Sequence, residues 1–157
     1  MTVTLRPMTE AEFPAYRERL LEGYAADIAR ARGLPADTAL RLATQQTDEL
    51  LPHGVRTSGQ LLFIAVDDAG GPAGLLWLAT HSPDGAQVGW IYAIEVDEAK
   101  RGKGYGRELM LLAEAECRRR GLTTLRLNVF GPNVVARQLY ESLGYEVTSQ
   151  NMAKRLD

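Results

Sequence analysis

The fold is decided by one stretch of the sequence, Ile94-Glu95-Val96-Asp97-Glu98-Ala99-Lys100-Arg101-Gly102-Lys103-Gly104-Tyr105-Gly106-Arg107. It predicts the end of a strand, a short turn with alternating glycines, and the start of a helix. Glycine leaves backbone N–H groups uncovered and permits unusual dihedral angles. A helix N-terminus adds unpaired donors and a partial positive charge. The stretch therefore predicts a phosphate-binding turn, to which three basic side chains would add charge: Arg101, Lys103 and Arg107.

Two other phosphate-binding loops do not fit this spacing. A P-loop nucleotidase requires Gly-Lys-Ser/Thr, whose hydroxyl holds magnesium, but here Gly102-Lys103 is followed by Gly104. A dinucleotide-binding fold requires G-x-G-x-x-G, whereas Gly102, Gly104 and Gly106 give G-x-G-x-G. One alternative stays open, a basic and solvated turn without a ligand, because short glycine motifs recur by chance.

The composition is that of an ordinary globular chain. The 157 residues are 45% hydrophobic and 24% charged, and the formal net charge is −2, without the basic excess of a nucleic-acid binder. No run approaches the roughly 18 apolar residues of a membrane helix, and no export signal is visible. Cys117 is the only cysteine, which excludes an internal disulfide and a cysteine-based metal cage. We expect one domain over residues 1–157, a cytoplasmic location, and no nucleic-acid, membrane or metal partner.

Periodicity and turn residues predict a mixed α+β sheet protein. Thr9 and Glu12 have the spacing of a capping box at the start of the first helix. Glycine, proline and aspartate between apolar runs predict three consecutive antiparallel strands before the glycine-rich turn. The predicted order is βααβββαβαββ, with strands over 3–6, 61–66, 73–80, 87–96 and 123–130, helices over 9–31, 37–51, 106–120 and 133–143, and a last extended pair over 145–156.

A second motif lies downstream, from Asn128 to Tyr145. In a helix, four of its residues share one face by the i, i+3, i+4, i+7 rule: Asn133, Ala136, Arg137 and Tyr140. We expect the opposite face to be buried: Val135, Leu139 and Leu143. The first face carries an amide, a cation and a phenol around a small residue, which leaves room for an extended ligand. The plainer alternative is that Asn133 only caps the helix and Tyr140 is an ordinary half-buried tyrosine.

Together the two motifs resemble those of the GNAT superfamily of N-acetyltransferases. Arg101-x-x-Gly104-x-Gly106, after a strand ending in Val96-Asp97, is similar to the acetyl-CoA motif of that family. Asn133-x-x-Ala136-x-x-x-Tyr140-Glu141-x-x-Gly144-Tyr145 resembles its second conserved segment. The order of elements is also similar, so the resemblance covers nearly the whole chain. It implies a GNAT-type fold, with a mostly antiparallel, splayed central sheet flanked by helices.

The resemblance also implies the ligands and the roles of the motif residues. Acetyl-CoA would be the co-substrate and an amine the acceptor, with direct transfer and no metal. Pantetheine would lie in the splay and pair with the backbone near Ile94 and Val96, while Asn133 would contact the pantetheine arm. The pyrophosphate would be held by the backbone amides of the glycine-rich turn: Gly102, Lys103, Gly104, Tyr105, Gly106 and Arg107.

The chemistry of such a transfer requires an acid and a route for a proton. A lysine-like amine, with a pKa of about 10.4, is protonated at neutral pH, so a base or a water chain must accept a proton. A phenol can protonate the departing thiolate, and Tyr140 would reach the sulfur, so we expect Tyr140 to be the general acid. Glu95 alternates with Ile94 and Val96 and should face the cleft, which makes it the candidate base. Its alternative role is to orient the substrate or to pair with a neighbour.

The acceptor is left open by the sequence. The long region from Glu10 to Thr57 should frame its site, but a small-molecule amine, a protein N-terminus and a lysine side chain all fit the resemblance. A non-catalytic acyl-CoA-binding sensor with the same fold is the alternative function. A homodimer is expected from the habit of the family alone.

Overall fold

A five-stranded sheet organises the computed structural model, which describes residues 2–157. In chain order the elements are β1 (Thr4–Pro7), α1 (Phe13–Arg32), α2 (Ala36–Leu50), β2 (Gln60–Val66), β3 (Pro72–Ala79), β4 (Gly89–Val96), α3 (Tyr105–Arg119), β5 (Leu125–Leu127) and α4 (Val134–Ser142). The strands follow the chain order across the sheet, and only the pairing of β4 with β5 is parallel. The expected mixed, mostly antiparallel fold class is confirmed. Among the described helices, none is long and apolar enough to cross a membrane.

Strand β4 has a complete neighbour on one side and an incomplete one on the other. It pairs with β3 from Trp90 to Val96, and a register shift near Tyr92 marks a bulge. The parallel β5 reaches only the first residues of β4, with Gly89 opposite Leu125 and Ile91 opposite Leu127. Beyond Ile91 the two strands separate, so the sheet is splayed, as the family resemblance implied.

The helices cover the two faces of the sheet, and the alternation of side chains along β3 separates the two cores. Leu75 and Trp77 pack with buried residues of α1 and its surroundings, including Tyr16. Leu76 and Leu78 point to the other face, where they pack with Met110 and Ala113 of α3. This two-residue period is the geometry of a strand with a helical layer on each face. Nearly the whole of β3 is buried as a result.

The turn between β2 and β3 is tied to the segment that precedes α3. The carboxylate of Asp67 accepts the backbone N–H groups of Ala69 at 3.0 Å and of Gly71 at 2.9 Å. It also accepts the ammonium group of Lys100 at 2.5 Å, and these contacts lower the pKa of Asp67, the Lys100 contact most of all. The basic residue Lys100 is therefore engaged within the fold.

The reciprocal hydrogen bonds of the predicted capping box form, but they lie in the turn before α1, which begins at Phe13 with Glu12 as its N-cap and not at Thr9 as predicted. The backbone N–H of Thr9 donates to Glu12 Oε1 at 2.9 Å, and the backbone N–H of Glu12 donates to Thr9 Oγ1 at 3.3 Å. The Arg6 guanidinium pairs with the Glu12 carboxylate at 2.7 Å. The Arg6 contact, followed by the Thr9 hydrogen bonds, lowers the pKa of Glu12 to about 2. The cap thus also joins α1 to β1.

The predicted extended pair at the C-terminal end does not form strands. After α4 the chain turns, with the Tyr145 N–H donating to the Tyr140 carbonyl at 3.0 Å, and residues 145–157 join no sheet. The apolar side chains there are too few and too far apart to give a strand a buried face. Val147, Met152 and Leu156 are 59%, 92% and 89% exposed. Strand β5 is also shorter than the 123–130 that its β-branched residues predicted.

Gly89, the first residue of β4, has no room for a side chain. A Cβ there would lie 2.4 Å from Cys117 Sγ and 3.0 Å from Leu125 Cδ1, so α3 or β5 would have to shift. We expect Gly89→Ala to lower the free energy of unfolding by about 1–3 kcal/mol, the usual range for overpacking. Urea denaturation followed by circular dichroism measures this loss.

Gly23 provides the matched control, because a Cβ on this residue of α1 would meet nothing within 4 Å. Gly23→Ala should raise the free energy of unfolding by about 0.5–1 kcal/mol, since alanine is the better helix former. Adding Cys117→Ala to Gly89→Ala should cost less than the sum of the two single changes. A fully additive double variant would show that the sulfur is not the obstacle.

The Arg6–Glu12 pair should make stability depend on pH. A carboxylate with a lowered folded pKa stabilises the fold above its unfolded pKa of about 4.3, and this contribution disappears as the pH falls through the folded value. Both side chains are partly exposed, so the effect is modest. We expect Glu12→Gln to be less stable than the unchanged chain at pH 7, by a margin that shrinks between about pH 5 and pH 2. An equal margin in urea denaturation at both ends of that range, with Glu18→Gln as the exposed control, would contradict this origin.

Candidate active site

The free edge of β4 begins where β5 ends. The Asp97 N–H donates to the Ala73 carbonyl of β3 at 2.8 Å. Because hydrogen-bonding direction alternates along an antiparallel strand, Glu95 also turns its backbone groups toward β3, whereas Ile94 and Val96 turn theirs to the opposite edge. That edge faces the splay. The Val96 carbonyl accepts the Arg101 Nε–H at 3.1 Å, so one of these groups already has a partner.

The glycine-rich turn leads directly into the N-terminus of α3. Gly102 and Gly104 have φ values of 76° and 86°, the left-handed region that favours glycine. The Glu108 N–H donates to the Gly104 carbonyl at 3.2 Å. The N–H groups of the three residues before Glu108 belong to the first turn, which has no intrahelical acceptors. These groups, with the positive end of the helix dipole, form an environment suited to a phosphate.

The basic side chains around this turn differ in how far they are engaged. Lys103 is exposed. Arg107 donates to Ser142 Oγ at 2.7 Å and so joins α3 to α4. Arg101 holds the Val96 carbonyl, as described above. The backbone amides are therefore the more direct anion donors, and Lys103 is the cation that needs no rearrangement to reach a ligand.

Tyr105 and Gly106 have packing roles that the motif did not reveal. The Tyr105 side chain is 7% exposed and packs with Val3, Ala65 and Leu109, so only its backbone is available to a ligand. A Cβ on Gly106 would lie 3.3 Å from Leu139 Cδ2 of α4. The glycine at position 106 thus permits the close approach of the two helices.

Helix α4 places the residues of the second motif. Asn133 caps the helix, with its Oδ1 accepting the Ala136 N–H at 3.3 Å. Leu139 and Leu143 pack against the core below α3, as does Tyr140. Val135, which the periodicity predicted to be buried, is 81% exposed. The packed face of α4 is the one that carries Leu139, Tyr140 and Leu143, and Val135 lies outside it.

Two tyrosines near the end of α4 have different surroundings. The rings of Tyr140 and Tyr145 meet edge-on, with centroids 6.1 Å apart. The Tyr145 hydroxyl donates to Glu114 Oε2 of α3 at 3.0 Å, so Tyr145 has a structural role. Tyr140 is partly buried, and burial raises the pKa of its phenol, so the phenol keeps its proton at neutral pH.

Glu95 lies on the α1 side of the sheet and forms an ion pair with Arg19 of α1. Arg19 also lies 3.9 Å from Asp97 Oδ1, and the Glu95 side chain is 39% exposed. Nearby, the Tyr16 hydroxyl is buried without a hydrogen-bond partner among residues 2–157. Burial, and then the charge of Glu95, raise the pKa of Tyr16. Neither Arg19 nor Tyr16 was visible as a site residue in the sequence, because nothing there shows which face of α1 crosses the end of β4.

A cavity of about 310 Å³ opens between the C-terminal half of α1 and the loop after β5. It touches Asn133, a predicted cofactor residue, and the part of the chain that should frame the acceptor. On its α1 side lie Asp27 and Arg30, and Phe130 lies on the other side. Partial burial raises the pKa of Asp27, while Arg30 acts in the opposite direction.

The model of the acetyltransferase (GNAT) family matches residues 32–145. The chain belongs to the GNAT family of acetyltransferases. The uncharacterized N-acetyltransferase YycN of Bacillus subtilis is 33% identical over 157 residues, which cover 99% of this chain and 100% of YycN. A mycothiol acetyltransferase of Rhodococcus erythropolis is 35% identical over 98 residues, 61% of this chain and 33% of that protein.

Solved structures agree with the assignment to the GNAT family. The crystal structure of YycN from Bacillus subtilis has a TM-score of 0.92 at 31% identity and covers 99% of each chain. AAC(6')-Iy, solved with the bisubstrate analog CoA-S-monomethyl-acetylneamine, has a TM-score of 0.63 at 18% identity, over 100% of this chain and 99% of that one. The latter shows a shared fold alone. The predicted family and its acyltransferase class are confirmed.

Proposed function

We propose that this GNAT enzyme, working as one domain over residues 1–157, transfers the acetyl group of acetyl-CoA directly to a primary amine. The observation that carries the proposal is the free edge of β4, which leads through one short 3-10 turn, Glu98–Lys100, into the glycine-rich turn and the N-terminus of α3. The amine would belong to a small molecule, a protein N-terminus or a lysine side chain. The region of α1 and α2 would frame it.

The residues present fit acetyl-CoA. The backbone groups of Ile94 and Val96 that face the splay can pair with an extended amide chain, as an added strand would. The free N–H groups at the start of α3 suit the pyrophosphate, and the positive-φ glycines leave them uncovered. When bound, acetyl-CoA supplies the thioester and, through its sulfur, the leaving group. Asn133 holds the N-terminus of α4 beside this path.

The transfer starts from the neutral amine, so an ammonium acceptor first loses one proton to Glu95 or to water. The amine nitrogen forms a bond to the carbonyl carbon of the thioester, and the carbon–sulfur bond breaks. The nitrogen then loses its second proton to Glu95 or to water, and the thiolate gains one from the Tyr140 phenol, which solvent reprotonates. The raised pKa of Tyr140 supports this role, because an acid must hold its proton until the sulfur departs.

The ion pair with Arg19 defines what Glu95 must do to act as the base. The Glu95 carboxylate faces the α1 side, where the acceptor is expected, but it is already paired with the Arg19 guanidinium. A base has to exchange that partner for the amine or for a bridging water. The alternative role for Glu95, an ion pair that fixes α1 over the end of β4, rests on the same contact.

The first test is release of free thiol from acetyl-CoA in the presence of a panel of amines and short peptides, with a control that lacks an acceptor. Release that depends on the acceptor would support the proposal and name the acceptor class. Acetyl-CoA binding without release from any amine or peptide would contradict it and favour the sensor. A lack of binding would contradict the interpretation of the glycine-rich turn as well.

Tyr140→Phe should lower kcat by about 100-fold or more, within the range that a general acid contributes. The affinity for acetyl-CoA should stay within about twofold, because the ring keeps its packing. Steady-state thiol release and calorimetric titration with CoA measure the two quantities.

Tyr145→Phe is the matched control for the loss of a hydroxyl. It removes the hydrogen bond to Glu114 and should lower the free energy of unfolding by about 1–2 kcal/mol, with kcat unchanged. If Tyr140→Phe turned over as fast as the unchanged enzyme, the role of Tyr140 as the acid would have to be abandoned.

Glu95→Gln should lower kcat/KM and remove the limb of the pH–rate profile that rises from low pH, since an amide cannot accept the proton. Arg19→Gln is the control, because it breaks the same ion pair but keeps the carboxylate. It should keep that limb. Equal losses in both variants with unaltered pH profiles would assign the pair a structural role.

Three further expectations from the sequence stay predictions: a cytoplasmic location, the absence of a metal and a homodimer. Residues 2–157 bring together no group of three or more His, Cys, Asp or Glu side chains that could hold a metal ion. Full activity after dialysis against a chelator would support transfer without a metal, and sedimentation would test the dimer.

A further inference from the structure

The cavity between α1 and the loop after β5 contains two opposite charges that form only a long ion pair with each other. Arg30 Nη2 lies 3.9 Å from Asp27 Oδ1, beyond the range of a hydrogen bond. The Arg30 and Asp27 side chains are 64% and 44% exposed. Each group can therefore take a ligand partner of its own within one cavity of about 310 Å³.

The helix ends beside the cavity favour the same arrangement of charge. The cavity meets Asp27, Arg30 and Ala31 in the last turns of α1, whose C-terminus at Arg32 carries the negative end of the helix dipole. On the other side it meets Asn133, the cap at the positive N-terminal end of α4. A ligand that carries both charges matches this field better than a ligand with one charge.

We propose that this cavity binds the zwitterionic head of an amino-acid-like acceptor, with its ammonium on Asp27 and its carboxylate on Arg30. The Asn133 side-chain NH₂ group, whose partner oxygen already caps α4, can donate to the same carboxylate. Phe130 lies against the aliphatic part that continues from the head. This inference rests on the proposed function, because it names the acceptor of that same reaction.

The separation of Asn133 and Tyr140 along α4 determines which amine of the acceptor reacts. Tyr140 lies seven residues beyond Asn133, about 10 Å along the helix axis. Side chains on a helix lean toward its N-terminus, which is the end of α4 that meets the cavity. A head held beside Asn133 leaves its own ammonium at Asp27, and a second amine at the end of an aliphatic chain extends toward Tyr140. The acceptor is then a diamino acid of lysine or ornithine type, acetylated on the distal nitrogen.

Four amines with the same distal group separate the contributions of the head. L-lysine has both head charges, cadaverine lacks the carboxylate, 6-aminohexanoate lacks the α-ammonium, and pentylamine lacks both. We expect kcat/KM for thiol release to be highest with L-lysine and to fall about 10- to 100-fold for cadaverine and for 6-aminohexanoate, since hydrogen bonds to charged groups are the stronger kind. L-ornithine and putrescine repeat the comparison for a shorter chain. NMR of the product should show the acetyl group on the distal nitrogen.

Two variants assign each charge to its partner. Arg30→Gln should lower kcat/KM about tenfold or more for L-lysine and 6-aminohexanoate but not for cadaverine. Asp27→Asn should do the same for L-lysine and cadaverine but not for 6-aminohexanoate. Glu18→Gln and Arg41→Gln, which change exposed charges on α1 and α2 outside the cavity, should leave all four values unchanged.

The outcomes separate this inference from the proposed function. If pentylamine or cadaverine reacts as well as L-lysine, or if Arg30→Gln leaves L-lysine unaffected, the zwitterion site is wrong although the acetyltransferase stands. The same holds if only amines outside the matched set react. If no amine in either panel releases thiol while acetyl-CoA binds, the proposed function fails and the inference fails with it.

Discussion

The structure depends on the point at which β4 and β5 stop pairing. The two parallel strands stay together only from Gly89 to Ile91, where the absence of a side chain on Gly89 lets Cys117 of α3 approach the sheet. Beyond that point β4 is held by β3 alone and keeps a free edge. The close contact thus lies at one end of β4 and the free edge at the other, and the glycine-rich turn follows the free end.

The helices are fixed to this strand from both faces. On one face, α3 is joined to α4 and the residues after it by the contact of Gly106 with Leu139 and by two hydrogen bonds, from Arg107 to Ser142 and from Tyr145 to Glu114, and α4 in turn carries Tyr140. On the other face, Arg19 of α1 reaches the carboxylates at the end of β4. The candidate acid Tyr140 is thus placed by a helix on one face, whereas the candidate base Glu95 belongs to β4 itself and projects to the other face, where Arg19 pairs with its carboxylate.

The sequence predicted the elements whose signal is local and missed the contacts that depend on tertiary packing. The Thr9–Glu12 hydrogen bonds, the turn between β2 and β3 and the glycine-rich turn each follow from a few neighbouring residues, and each formed, although α1 starts later than predicted. Val135 fits the buried face of an isolated helix, but the packed face of α4 is the one that carries Leu139, Tyr140 and Leu143. Arg19 looks like any charged residue of an amphipathic helix until the crossing of α1 over β4 is known. The last two strands failed because a weak, interrupted apolar pattern gives no face to bury.

The Asp67 carboxylate has a further consequence for how the chain can vary. Hairpin tips are ordinarily where proteins accept insertions most freely. Here the tip between β2 and β3 is bonded through Asp67 to Lys100, next to the turn that precedes α3. An added residue at this tip would displace the Asp67 carboxylate that binds Lys100. The segment that leads to the glycine-rich turn would then lose this contact. Although it lies on the surface, this loop is therefore constrained in length by Lys100, a residue in a different part of the sequence, and a variant with a longer loop needs a replacement acid at the same place in space.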